Sequence, residues 1–461
     1  MQPDIRTEIP GPRAKAAMAR GRFDMQAAYR TAIIDDVASS STYLVDIDGN
    51  TYLDLFANFA LGALGYNHPN LLAVVRSDAF AHASANPTST PFVTTPSWLD
   101  FMDTLEARFA PHGMSKVFCV DAGGEGVESA LKAAFIVHGE ARREARGLPR
   151  DPLALPDEHL QEILANNAGS DAVIVSFGGG FHGRGLGPLS ATHSKAIHKA
   201  DLPSFHWPHL PFPAKQFPEE RHAEDNAARE EASLQALEGT LDRYAGRVAA
   251  IIVEPLQSEG GDRQASATFF KRVQQMAQQA GAALIFDEVQ TGMGSSGTLW
   301  AHEQFELPSP PDLMTFGKKM QLGGFFAAQK YDIQQFGRMF QTRNGDRARA
   351  MLGQTILETI ASDSLLDNVR TTGAYFLQRL REFEQAHPAL VSQARGWGFM
   401  LAFDLPTPQL RNDFVTRCLH HGVFITYTGT QSVRLRPHLI TLPAQVDQAM
   451  VVFEQVIREL A

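Results

Sequence analysis

Phe286-Asp287-Glu288-Val289-Gln290 and Thr315-Phe316-Gly317-Lys318-Lys319 decide how this 461-residue chain reads. An apolar run, 282–286, ends in an acid, and a second, 313–316, ends in a lysine after a glycine. Asp287 and Lys318 stand 31 residues apart, the length of one helical crossover. In a parallel sheet such residues fall at neighbouring strand ends and project into the crevice where ligands bind. Lys319 competes with Lys318 for that place. Lys318 is preferred because it directly follows Gly317, where a tight turn aims it inward.

Outward from this pair, strand and helix patterns alternate. Strands are expected at 116–120, 172–177, 249–254, 283–287, 312–316 and 323–328, with helical patterns such as 125–138 and 267–279 between them. That rhythm predicts an α/β fold with a mostly parallel sheet covered by helices. Residues 42–56 alternate around Asp48-Gly49, which predicts a β-hairpin after an irregular or helical arm of about 40 residues. The charged, Ala/Glu-rich stretches 141–170 and 218–247 read as solvated helices or insertions. Beyond about 335 come helix patterns at 348–360 and 368–386, strand patterns at 397–405, 423–426 and 433–435, and a closing helix at 443–460. The expected division is an arm and hairpin (1–60) packing with a smaller α+β domain (336–461), and a large domain (61–335) between them.

Hydrophobic residues at 44% and charged residues at 20% are ordinary for a soluble globular protein. A formal charge of -10 and the lack of any Lys/Arg-rich run argue against a nucleic-acid surface. Cys119 and Cys418 are far apart, with neither disulfide-scaffold nor metal-ligand spacing, which fits a reduced cytoplasmic setting. The first residues lack a basic region followed by an apolar core, and no apolar run approaches the roughly 18 residues of a membrane span.

An acid and a lysine at adjacent strand ends suit pyridoxal 5'-phosphate: the lysine bonds the cofactor aldehyde and the acid keeps the pyridine nitrogen protonated. Other turns on the same expected sheet edge carry matching pieces. Asp121-Ala-Gly-Gly-Glu-Gly-Val-Glu128 follows a strand and opens a helix, where Gly123 and Gly124 could let backbone N–H groups approach a phosphate; tight helix–strand packing explains the glycines equally well. In Phe181-His182-Gly183-Arg184 the phenylalanine could stack on a flat ring and Arg184 could pair with a carboxylate, or both could be ordinary loop residues. Glu254-Pro-Leu-Gln-Ser-Glu259-Gly-Gly-Asp262 puts two glutamates at one strand end, where they could gate an arginine or simply form an ordinary acidic loop. Arg434 and Arg436 alternate onto one face of a strand, so one could serve the site while the other is structural.

In this order the motifs resemble those of the class III (ω-) aminotransferases, a fold-type I pyridoxal-phosphate family, from about Tyr43 to Leu460. The resemblance is strongest to the L-lysine 6-aminotransferases, with 4-aminobutyrate aminotransferases next. It rests on Asp54-Leu-Phe-Ala-Asn-Phe-Ala-Leu-Gly-Ala-Leu-Gly-Tyr-Asn-His-Pro69, Asn86-Pro-Thr-Ser89, Glu128-Ser-Ala-Leu-Lys-Ala-Ala-Phe135, Phe181-His-Gly-Arg184, Gln257-Ser-Glu-Gly-Gly-Asp-Arg263 and Phe316-Gly-Lys-Lys-Met-Gln321. The resemblance implies that Lys318 carries the cofactor, Asp287 pairs with its ring nitrogen and Gln290 meets its ring oxygen. It implies that Phe181, with His182 beside it, stacks on the ring, and that Gly123 and Gly124 cradle the phosphate. Thr342 of a neighbouring subunit would add a phosphate contact, making the enzyme a homodimer. Arg434 would bind the α-carboxylate of 2-oxoglutarate or glutamate, Glu259 would mask that arginine, and Arg184 would grip the donor's distal carboxylate. Gly124, Glu125, Met320 and the segment 341–346 depart from the usual family sequence, which leaves the amine donor open.

Overall fold

The computed structural model describes residues 1–20, 23–86, 92–165 and 170–461. Pro87-Thr88-Ser89 of the quoted motif and residues 166–169 of the first charged stretch lie outside the described residues. The 42–56 hairpin is present: β1 (Tyr43–Val45) pairs antiparallel with β2 (Thr51–Asp54), with Val45 opposite Thr51.

Among the described residues, seven strands form the central sheet: β3 (Lys116–Val120), β4 (Val173–Phe177), β5 (His209–Leu210), β6 (Val248–Val253), β7 (Ala283–Asp287), β8 (Leu313–Phe316) and β9 (Gly323–Ala327). Their order is β3-β9-β8-β7-β6-β4-β5. The run from β8 through β5 is parallel, while β9 runs antiparallel to both β8 and β3. The carboxyl ends of β3, β4, β6, β7 and β8 therefore share one edge. Strands β4, β6, β7, β8 and β9 are buried throughout, as continuous Val/Ile/Leu/Phe runs must be when helices cover both faces. Six of these strands were expected. The two-residue β5 is too short to leave a pattern.

The 23-residue helix Gly123–Ala145 leaves the end of β3 and packs along β9 and β8. The second charged stretch is more than a solvated insertion. Its helix, Ala223–Arg243, keeps Glu and Arg outward but buries Asn226, Ser233, Leu234 and Leu237 against the sheet edge. In the first, Asp157–Leu164 is a helix with no buried residue, so it is solvated as expected.

Beyond the sheet, helices Arg347–Ser362 and Leu365–Ala386 precede a second sheet. The pattern at 397–405 holds β11 (Met400–Asp404), and the strand before it, β10 (Ser392–Trp397), which turns into β11 at Gly398, was not expected. The pattern at 423–426 divides. β12 (Val423–Phe424) adds in parallel to β2, whereas β13 (Thr426–Thr428) and β14 (Ser432–Leu435) complete the sheet β10-β11-β14-β13. Tyr43, Leu53 and Leu55 share a core with Phe376, Leu380, Phe403, Phe414 and Phe453, so the hairpin packs with the C-terminal region. Cys119 and Cys418 are buried and free. No helix among the described residues is long and apolar enough to cross a membrane.

Candidate active site

At the carboxyl edge of the sheet, the turns after β3, β4, β6, β7 and β8 converge on one pocket. Asp287 and Lys318 both line it. Pairing of Asp287 with Thr315 across β7 and β8 fixes that proximity. The pleat separates the Asp287-Glu288 pair. Asp287 faces the pocket, while Glu288 is buried on the other side, where it accepts from Ala301 N (2.6 Å), His302 N (2.8 Å) and His302 Nδ1 (2.7 Å).

Asp287 Oδ1 accepts from Thr315 Oγ1 (3.0 Å) and Val289 N (3.1 Å), and Oδ2 accepts from His182 Nδ1 (2.8 Å). A carboxylate has about four lone-pair sites, so one is left for a donor in the pocket. Lys318 has a φ of 50°, a left-handed conformation that a lysine holds only when its surroundings dictate it. Burial pulls its amine down to about 8; Asp287 opposes this and Arg434 adds to it. Lys319 turns the other way. It is fully buried, its Nζ has no hydrogen-bond partner among the described residues, and burial holds its amine well below the ordinary value.

Among the described residues no side chain caps the helix beginning at Gly123, which leaves its first N–H groups available to a ligand at the pocket. A Cβ on Gly123 would strike Val289 Cγ1 at 2.6 Å, whereas one on Gly124 would meet nothing within 4 Å. Gly123 is thus required by close packing, and Gly124 leaves open space at the positive end of a long helix, as an anion needs. Gln290 Oε1 accepts from Arg436 Nε (3.1 Å), which leaves its NH₂ as a donor. Phe181 lines the pocket and is tied at its backbone N–H to Glu254 Oε1 (2.9 Å). Burial, reinforced by Asp287, raises the Glu254 carboxyl to about 7 although His182 and two backbone N–H groups oppose it. His182 sits behind Asp287 and holds it.

The two arginines of β14 have separate tasks. Arg436 is fully buried in an ion pair with Asp262. Arg434 Nη1 reaches Glu259 Oε1 at 2.6 Å, while its Nε is buried without a partner among the described residues. Glu259 Oε2 also accepts from Lys195 Nζ (3.1 Å). Burial favours the neutral carboxyl of Glu259, but Arg434 and Lys195 outweigh it and hold the group down to about 2. Arg184 is exposed at the rim, 3.4 Å from His198 Nε2 and 5.5 Å over the Phe181 ring. Lys195 and His198 were not anticipated, since they lie in an irregular segment without periodicity or a motif. Thr342 is exposed and does not line the pocket of its own chain.

The profile of the family Aminotransferase class-III matches residues 25–457. The chain belongs to the class III aminotransferases. Among relatives of this aminotransferase, the 4-aminobutyrate aminotransferase of Dictyostelium discoideum is 38% identical, covering 100% of this chain and 92% of that protein. The mitochondrial 4-aminobutyrate aminotransferase of Homo sapiens is 34% identical over 95% of this chain and 87% of its own length. Among solved structures, the lysine aminotransferase from M. tuberculosis superposes with a TM-score of 0.86 at 30% identity, covering 97% of this chain and 99% of that one. The fold is thereby fold-type I, and class III aminotransferases use pyridoxal phosphate. The site fits that cofactor: an uncapped helix start beside open space, a free acceptor on Asp287, a free donor on Gln290 and a lysine amine between them.

Proposed function

We propose that this class III aminotransferase transfers the terminal amine of an ω-amino acid to 2-oxoglutarate. The donor taken first is L-lysine, reacting at its ε-amine to give 2-aminoadipate 6-semialdehyde and L-glutamate. The observation that carries this reading is Glu259, held between Arg434 and Lys195 on the wall of the Lys318 pocket. A site that alternates between an ω-amine and a 2-keto acid must offer a cation in one half-reaction and conceal it in the other. A carboxylate that can pair with Arg434 and then yield to a substrate carboxylate does both.

Bound pyridoxal phosphate would supply an electron sink for the carbon that bears the reacting amine. Lys318 would hold it, Asp287 would meet its ring nitrogen, Gln290 its ring oxygen, and Phe181 one ring face. The N–H groups of Gly123 and Gly124, with Thr342 of the partner subunit, would take the phosphate. Lys318, with its amine pulled down to about 8, is suited to accept a proton from the substrate carbon and return it near neutral pH. Arg184, exposed at the rim, would receive the donor's distal carboxylate.

A homodimer is supported by the exposed aromatic cluster Phe92, Phe336 and Phe340 beside Thr342. Two buried free cysteines support a cytoplasmic location. The shared core of the hairpin with residues 376–457 supports grouping 1–60 with the C-terminal region, whereas the helix Arg347–Ser362 packs in the core of 61–335. A second donor, 4-aminobutyrate, is favoured by the relatives of that name at 38% and 34% identity. Ornithine or a longer amine would use the same machinery, whereas an aminomutase would not need the Glu259–Arg434 gate.

The test is a half-reaction: mix the cofactor-loaded enzyme with L-lysine, 4-aminobutyrate or ornithine without keto acid, and follow the visible cofactor band. Loss of the band with lysine, restored by 2-oxoglutarate, supports the lysine reading. Bleaching only by 4-aminobutyrate replaces the donor and keeps the mechanism. No bleaching by any ω-amine refutes the proposal.

A further inference from the structure

Ala57, Asn58, Phe59 and Ala60 have φ values of 44°, 48°, 58° and 63°, a full left-handed turn made without glycine. Each L residue there crowds its Cβ against the following carbonyl, so a run of four persists only where other contacts impose it. Those contacts are present at both ends. Asp54 Oδ1 accepts from Phe56 N (2.8 Å) and Ala57 N (3.0 Å), and Oδ2 accepts from Tyr66 Oη (2.5 Å). His438 bridges the same Asp54 carboxylate (3.1 Å) and the Gly62 carbonyl (3.2 Å). His438 lies four residues beyond Arg434, so the turn is tied to the segment that carries the arginine of the site.

The turn places Phe59 over that arginine. The Arg434 Cζ lies 5.2 Å from the Phe59 ring centroid. Phe56 packs on Phe59 edge-on at 4.5 Å and 76°, and itself rests on Phe424 of β12. A ring face attracts a guanidinium from above its plane and leaves the N–H edge free for carboxylates. The two partners of Arg434 thus occupy different sides of it: Glu259 the edge, Phe59 the face.

We propose that Phe59 is a positioning residue that determines affinity for the acid substrate: its ring face keeps Arg434 in place when Glu259 gives way to a substrate carboxylate. The left-handed turn is the device that holds the ring there. This inference rests on the reading of Arg434 as the 2-oxoglutarate-binding residue. It adds a group that stays in contact through both half-reactions but matters in only one. While Glu259 is paired, Arg434 is already fixed; once Glu259 leaves, the ring is what preserves its pose for the incoming dicarboxylate.

The test uses the full-length, cofactor-loaded enzyme with Phe59 replaced by phenylalanines carrying one, two or three ring fluorines, alongside Phe59→Tyr and Phe59→Leu. Fluorines keep the shape but drain the negative ring face. The expected result is a KM for 2-oxoglutarate that climbs with each fluorine, by about tenfold at the end of the series and in the Leu variant. Phe59→Tyr should stay near wild type, and the donor half-reaction should stay within about twofold throughout. A KM for 2-oxoglutarate that is flat across the series, or a rise shared equally by both half-reactions, overturns the proposal because it leaves Phe59 as plain wall. Failure of the unsubstituted enzyme to turn over 2-oxoglutarate would instead overturn the acceptor reading, and would be visible before any variant is made.

Discussion

Replacing Glu259 by glutamine should separate the two half-reactions. Glu259 Oε1 lies 2.6 Å from Arg434 Nη1 and Oε2 lies 3.1 Å from Lys195 Nζ, with Arg434 buried. Despite burial, this pairing takes the carboxyl from an ordinary 4.5 down to about 2. At about 1.4 kcal/mol per tenfold change in proton affinity, that is roughly 3 kcal/mol in favour of the charged form. Coulomb's law gives the same order: two charges about 4 Å apart at an effective dielectric of about 20 attract by roughly 4 kcal/mol. The glutamine keeps the shape and loses this attraction, so Arg434 is left uncompensated wherever no substrate carboxylate replaces Glu259. That state is the donor half-reaction. Its kcat/KM should fall about a hundredfold, the rate equivalent of roughly 3 kcal/mol, while 2-oxoglutarate should bind as well as before or better. Stopped-flow recording of the cofactor band in each half-reaction at fixed salt provides the measurement. The linkage sign is also fixed. Because the folded carboxyl is depressed, its stabilisation is fully present above about pH 4.5 and is lost as pH falls towards about 2, and the variant should lack that component of acid sensitivity. Equal losses in both half-reactions, or an unaffected donor half-reaction, would refute the gating argument.

Other outcomes follow from the same geometry. Lys319→Met should keep the visible cofactor band and raise the denaturation midpoint, because it removes a buried amine without a partner, a defect of about 1–3 kcal/mol. Arg436→Met should do the reverse, leaving Asp262 buried and unpaired at a cost of about 3–5 kcal/mol in chemical denaturation. Asp287→Asn keeps the side-chain shape but replaces one accepting oxygen by an NH₂ donor and removes the charge, so kcat should fall at least about a hundredfold in steady-state assay. In cofactor-free enzyme, the neutral Lys318 amine is the form that bonds an aldehyde. The rate of band formation on adding pyridoxal phosphate should therefore rise with pH to about 8 and level off, where an unperturbed lysine would keep gaining towards 10.5.

The sequence disclosed whatever depends on one segment at a time. Short apolar runs ending in Asp287 and Gly317-Lys318, set in an alternating strand and helix rhythm, read as buried strands with their ends at a ligand edge, and the structure has them so. The hairpin at Asp48-Gly49 and the closing helix Pro443–Leu460 were legible for the same reason. Errors arose around short strands and turns: β10 (Ser392–Trp397), which ends at Gly398 with its φ of 52°, went unread, and Phe424 and Thr426 leave for different sheets. Neighbours across the sheet were also hidden. Nothing in the sequence near His182 indicates that its ring would brace Asp287, 105 positions away, or that Lys195 would share Glu259.

The hidden part is also the part that tunes the chemistry. Lys318 and Asp287 are specified by local sequence because any such site needs an amine and an acid at adjacent strand ends. Charge there is set by burial and by residues from other segments: burial lowers the Lys318 amine, with Asp287 opposing and Arg434 adding to it, and Arg434 and Lys195 hold Glu259 charged. On the proposed reading, substrate choice would depend on this second group, because the donor reacts at a carbon far from its carboxylate and the acceptor at a carbon next to one. Relatives can thus share every motif around Lys318 and still prefer different amines. Substitutions around Glu259, Lys195 and Arg184 should accordingly shift donor preference with little change in cofactor binding, whereas substitutions at Asp287 or Gly123 should impair every donor alike.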